Sequence, residues 1–147
     1  MADPAVFAAV FVALYAAHEV GDHWVQTHRQ AKGKDKAGRP GRVACARHVA
    51  SLMATKVVVL VAVVAVTGLA LSPWAAAGLM VDAVSHYWAD RRVTLRALAE
   101  RLGKGGFAGL GDPEAAPTGT GAYALDQSWH IGWLLVSSLL IAAGSSP

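Results

Sequence analysis

Residues 57–66 read VVVLVAVVAV. The run has no polar face, so it fits neither an amphipathic helix, with apolar positions every third or fourth residue, nor a half-buried strand, with strict alternation. A bilayer accommodates it directly, because a helix satisfies its own backbone polar groups and can face hydrocarbon all round. Extended outward, the run predicts a membrane span over about 49–71, interrupted only by Lys56.

The rest of the chain agrees. Of 147 residues, 54% are hydrophobic and 16% charged, and the mean hydropathy is +0.39, outside the usual range of soluble domains. The length allows one domain. A net charge of +3 and a pI near 9.3 raise the question of nucleic acid. The basic residues, however, lie between apolar segments and not on an aromatic-bearing polar surface, so no nucleic acid is expected as a partner. The single cysteine, Cys45, permits no internal disulfide.

Three further spans are predicted. The first covers 5–25, about 21 residues or roughly 31 Å of helix. It follows Met-Ala-Asp-Pro, with an acid where a cleaved signal would carry basic residues. Ser72-Pro73 ends the second span and starts a third over 73–90, since serine caps helices and proline is tolerated in the first turn. The fourth covers 122–143. The expected fold is therefore an all-α integral membrane protein, a four-transmembrane-helix bundle forming a single membrane domain. Lysines and arginines fill a basic loop at 28–47 and follow the third span from Arg91 to Lys104. The positive-inside tendency puts both regions in the cytoplasm and both termini outside, in the inner membrane of the cell. Val93, Leu95, Leu98 and Leu102 among arginines predict a short amphipathic interfacial helix. Residues 103–121, rich in Gly, Pro and Thr, predict a flexible loop.

Titratable groups inside spans are costly and mark functional or paired positions. They form a pattern here: His18 and Asp22 on the first span, Asp82, His86 and Asp90 on the third, Asp126 and His130 on the fourth, each set spaced by four and so on one helix face. His48 opens the second span, and Lys56 follows two turns later. Because alternate spans run in opposite directions, late positions in spans one and three match early positions in two and four. His18 and Asp22 lie about 12 and 6 Å above the end of the first span, and Asp126 and His130 at similar depths.

Imidazoles and carboxylates converging in a bundle have the composition of a metal site. The expected ligands are His18, Asp22, Asp82, His86, Asp126 and His130, holding one or two divalent transition-metal ions: zinc, manganese or iron. His48 and Asp90 are read as further ligands or acid/base groups. Lys56, with Arg91 and Arg92, is read as attracting a phosphate-bearing substrate, or as snorkelling to the surface. Gln26 and Gln127 would orient ligands or water. His23 and His28 fall outside the stripe, and Glu19 is offset from it.

At these same residues the chain resembles a bacterial and phage membrane family known only as domain of unknown function 3307. The motifs are His18-Glu-Val-Gly-Asp22-His-Trp-Val-Gln26, His48 opening the second span, Ser85-His86-Tyr-Trp-Ala-Asp90, and Asp126-Gln127-Ser-Trp-His130. The resemblance implies signature roles for these positions, without Asp82, and supplies no reaction. A looser similarity to membrane-bound metal-dependent hydrolases implies hydrolysis. The expected function is thus a membrane-embedded metal-dependent hydrolase, with the bilayer as partner and a phosphoester or lipid-linked substrate. The alternatives are a metal-ion or proton carrier or channel, and a non-catalytic membrane protein with a structural polar cluster. Transport is disfavoured because 57–71 and 132–143 carry almost no polar groups to continue a path. Small residues on the spans would allow a homodimer.

Overall fold

The structure is a computed structural model and describes residues 3–144. All regular structure among them is helical. Helix α1 (Pro4–Val20) opens with Asp3, whose carboxylate accepts a hydrogen bond from Ala5 N, and with proline in its first turn, where a missing N–H costs nothing. It passes into a π-helical turn over Gly21–Val25, closed by a bond from Gln26 N to Gly21 O of 2.9 Å. A short helix α2 (His28–Ala31), fixed by a Thr27/Gln30 capping box, leads to the long α3 (Gly38–Thr67). Then come α4 (Trp74–Asp90), α5 (Val93–Arg101), the single turn α6 (Gly105–Ala108) and α7 (Gly121–Ala143).

The basic segment expected as a loop over 28–47 is largely helical. Helix α3 starts at Gly38, with Pro40 tolerated because first-turn N–H groups have no intrahelical acceptor. Hydropathy marks where apolar residues begin, while the arginines ahead of them continue the same helix. The far end also differs: α3 stops at Thr67, before the expected 71, because Gly68 takes φ +71°, a left-handed C-cap that glycine adopts without a Cβ clash. Within 103–121 the chain forms α6 and a 3-10 turn at Pro117–Gly119.

Helix α1 packs against α3 and α7, and α4 packs against α7 and α3, giving a four-helix bundle. Two segments, Pro4–Val25 and Gly38–Thr67, are long and apolar enough to cross a membrane. One half of the bundle is filled by Val6, Val10 and Leu14 of α1, Leu60 of α3, and Leu134 and Ile141 of α7. Gly78 allows α4 to approach α7, since a Cβ there would stand 2.8 Å from Ser137 O and 2.6 Å from Ile141 Cγ1. The other half holds the buried titratable groups of the cluster.

Candidate metal centre

Four imidazoles meet in the polar half, each from a different long helix: His18 (α1), His48 (α3), His86 (α4) and His130 (α7), all at most 2% exposed. The His86 and His130 rings stack with centroids 4.0 Å apart, and His18 lies edge-on to His86 at 5.5 Å. Asp22 enters from the π-helical turn and Asp90 from the last residue of α4.

The geometry is tightest around His48 Nε2. It lies 3.1 Å from His86 Nε2, 2.9 Å from Asp22 Oδ1 and 3.2 Å from Asp90 Oδ2. A ring nitrogen carries one N–H or one lone pair, so it cannot satisfy three neighbours at once. Even with these close approaches, Asp22 Oδ1, Asp90 Oδ2, His18 Nε2 and His130 Nε2 are not satisfied as hydrogen-bonding atoms. Buried polar atoms are ordinarily paired. His86 Nε2 lies 3.6 Å from Asp22 Oδ1 and 3.3 Å from Asp90 Oδ2. Ligands about 2.0–2.1 Å from a tetrahedral ion stand about 3.3–3.4 Å apart, and the separations here bracket that value. Two donor triads result, Asp22/His48/His86 and His86/Asp90/His130, sharing His86.

Other expected residues take different places. Asp126 is 3.5 Å from His130 Nε2, its side chain partly exposed, and Gln127 Nε2 donates to its other oxygen at 3.4 Å. His18 Nε2 is 3.7 Å from Asp22 Oδ2. Gln26 has a buried amide nitrogen without a partner. Asp82, expected among the ligands, is in neither triad; its Oδ2 is 2.5 Å from Lys56 Nζ, one helical turn deeper than His86. Lys56 is fully buried, so it neither snorkels nor stands open to substrate. His23 bonds Glu19 O and the Tyr123 hydroxyl, away from the cluster. Arg91 and Arg92, read as substrate attractors, are engaged elsewhere: Arg91 donates to Lys34 O and Lys36 O, both at 2.7 Å, and Arg92 pairs with Asp35.

Lys34 is the residue that sequence reasoning missed. It is buried, and its Nζ lies 2.7 Å from Asp90 Oδ1, the oxygen that also stands 3.8 Å from His130 Nε2. Nothing in Lys32-Gly-Lys-Asp-Lys36 distinguishes it from its neighbours. The clamp of Arg91 on the carbonyls of Lys34 and Lys36 folds this segment onto the end of α4 and carries the lysine inward.

Asp126 also lines a cavity of about 650 Å³ bounded by Tyr123 of α7, Ala99 of α5, Gly105 of α6 and Pro117. The cluster therefore adjoins an opening at its own end of the bundle, while the apolar half closes the other end.

Fold and cluster define an all-helical protein with two helices long and apolar enough to span a membrane and with a buried His/Asp centre. Compared with known proteins, the chain matches no protein-family model, no curated protein and no solved structure.

Proposed function

We propose that the chain is a four-span protein of the inner membrane, a metal-dependent hydrolase acting on a phosphoester or lipid-linked substrate from the cytoplasmic face. The carrying observation is the crowding of His48 Nε2 by an imidazole nitrogen and two carboxylate oxygens at 2.9–3.2 Å, with four neighbouring donor atoms left without hydrogen bonds. Charge supports a single ion. Asp82 and Asp90 pair with the ammonium groups of Lys56 and Lys34, whereas Asp22 and Asp126 meet no lysine or arginine among the described residues; two carboxylates without a cationic side chain suit one divalent cation. His48, His86, Asp22 and Asp90 would hold it, with His18 and His130 beside them.

Such an ion supplies a water of lowered pKa as nucleophile and polarises a phosphoryl oxygen. Lys34 pairs with Asp90 and fixes its orientation, and Gln127 donates to Asp126, which stands between the cluster and the cavity. The cavity favours hydrolysis over ion passage, because the apolar layer of Val10, Leu14, Leu60 and Leu134 carries no titratable group onward.

Elemental mass spectrometry on detergent-purified protein tests the centre. Wild type is expected to carry one transition metal per chain. His86→Ala removes the donor common to both triads and is expected to lose it while keeping its helical circular dichroism. Absence of metal from wild type after reconstitution with zinc, manganese and iron would overturn the reading. With metal established, release of phosphate from a lipid phosphate monoester, lost in Asp126→Asn, tests the hydrolase step.

A further inference from the structure

Of the thirteen lysines and arginines, five are held by a partner and eight have none among the described residues. Lys34, Lys56, Arg92 and Arg96 each meet an acid, and Arg91 is held by two carbonyls. Arg29, Arg39 and Arg47, in contrast, make no ion pair or side-chain hydrogen bond among the described residues, yet all three line one groove of about 480 Å³ between α2 and the first turns of α3. No carboxylate lines this groove.

The arrangement follows from helix geometry. Arg39, Val43 and Arg47 recur at intervals of four and share one face of α3. Arg29 comes from α2, whose position is fixed by the Thr27/Gln30 capping box. Three guanidinium groups around one groove repel one another unless an anion sits between them. Arginine's planar fork suits phosphate oxygens in particular, which accept paired N–H bonds.

The groove also has an apolar wall, formed by Pro40, Val43 and Ala44, which a free inorganic anion would not use. Its depth adds a further argument. Arg47 directly precedes His48, the first buried polar residue of α3, so the groove stands where the helix leaves the polar cluster for water. Trp24, three residues before Thr27, is 85% exposed, as expected of an aromatic ring at a membrane interface.

We infer that this groove binds the phosphate of an anionic phospholipid headgroup in the cytoplasmic leaflet, with the glycerol end against Pro40 and Val43. The inference rests on the membrane reading proposed above and is independent of the metal. Juxtamembrane arginines are attracted to anionic leaflets; here the three converge on a defined groove.

The test uses the full chain reconstituted in nanodiscs of zwitterionic lipid with or without phosphatidylglycerol, then released for native mass spectrometry. Wild type is expected to retain phosphatidylglycerol several-fold over the zwitterionic lipid. The Arg39→Gln/Arg47→Gln variant is expected to lose that preference with its metal content unchanged. Equal retention of the two lipids by wild type, or an undiminished preference in the variant, overturns the inference. A thermal shift from inorganic phosphate alone, equal to that from the anionic lipid and abolished in the variant, also overturns it and assigns the groove to a soluble phosphate ester. A chain that stays in the aqueous fraction and enters no nanodisc sinks the membrane reading itself, so the two failures are distinguishable.

Discussion

Lys56 is among the most completely buried side chains of the molecule, with its ammonium against Asp82. A buried ion pair contributes little net stability over a well-packed apolar pair, but breaking one is costly, because the surviving charge is left without either water or partner. Lys56→Met is therefore expected to destabilise the fold by about 3–5 kcal/mol, read as a lowered unfolding midpoint in detergent. Lys56→Met/Asp82→Leu should recover most of that loss and keep the full metal content. If the folded double variant lacks metal, Asp82 is a ligand after all and the assignment of the pair fails. His18, Asp22, His86 and His130 were legible in the sequence because repeats of four on antiparallel helices fix both face and depth. Asp82 lay on the same stripe as His86, and a helical stripe does not say which of two neighbours an acid will meet. Depth was the useful signal, since Asp82 lies one turn beyond His86 and Lys56 two turns beyond His48. Lys34 was not legible at all, because its burial depends on a distant contact with Asp90.

At the scale of elements, the four long helices could be read from hydropathy and spacing, with the ends of α4 and α7 within one residue, whereas both ends of α3 could not. The polar start of α3 at Gly38 and the π-helical turn at Gly21–Val25 depend on local hydrogen bonding that an apolar pattern does not encode. π-helical turns recur at functional sites, and this one carries Asp22. Gly21 at its start packs under Leu52, whose side chain would collide with any Cβ there. The α4–α7 contact brings His86 and His130 together, and it depends on Gly78 in the same way. Gly78→Val adds three carbons where Ser137 O and Ile141 already stand within 2.8 Å of a Cβ. Overpacking of this kind costs about 1–3 kcal/mol, so a lowered unfolding midpoint is expected together with weaker metal retention on dialysis against a chelator. Gly132, on α7 itself, has open space where its Cβ would be. Gly132→Val serves as the control and should leave both quantities unchanged. Equal effects of the two substitutions would remove the α4–α7 contact as the element that sets the site.

Across the whole molecule, polarity is arranged inside out. Four histidines, Lys56 and Asp90 are buried, while Val58, Val61 and Val66 are 61–86% exposed and Met80 and Val84 more than 60%. In water this would leave a broad apolar surface unprotected; in a bilayer the same valines meet hydrocarbon, and the charges pair in the interior. The two ends of the bundle are distinguishable by labelling. The connection 68–73 joins α3 to α4 at the apolar end, and the stretch between α6 and α7 lies at the polar end with the basic residues. On a Cys45→Ala background, Ala70→Cys and Glu114→Cys place single thiols at exposed positions of these two connections. In intact cells of a bacterial host, a membrane-impermeant maleimide is expected to label Ala70→Cys, and Glu114→Cys only after permeabilisation. The reverse pattern would turn the metal centre to the outer face and remove the cytoplasmic substrate from the proposal. Labelling of both thiols in intact cells would contradict a bundle whose two ends lie on opposite sides of the membrane, since the two connections are separated by the full length of α4 and α7.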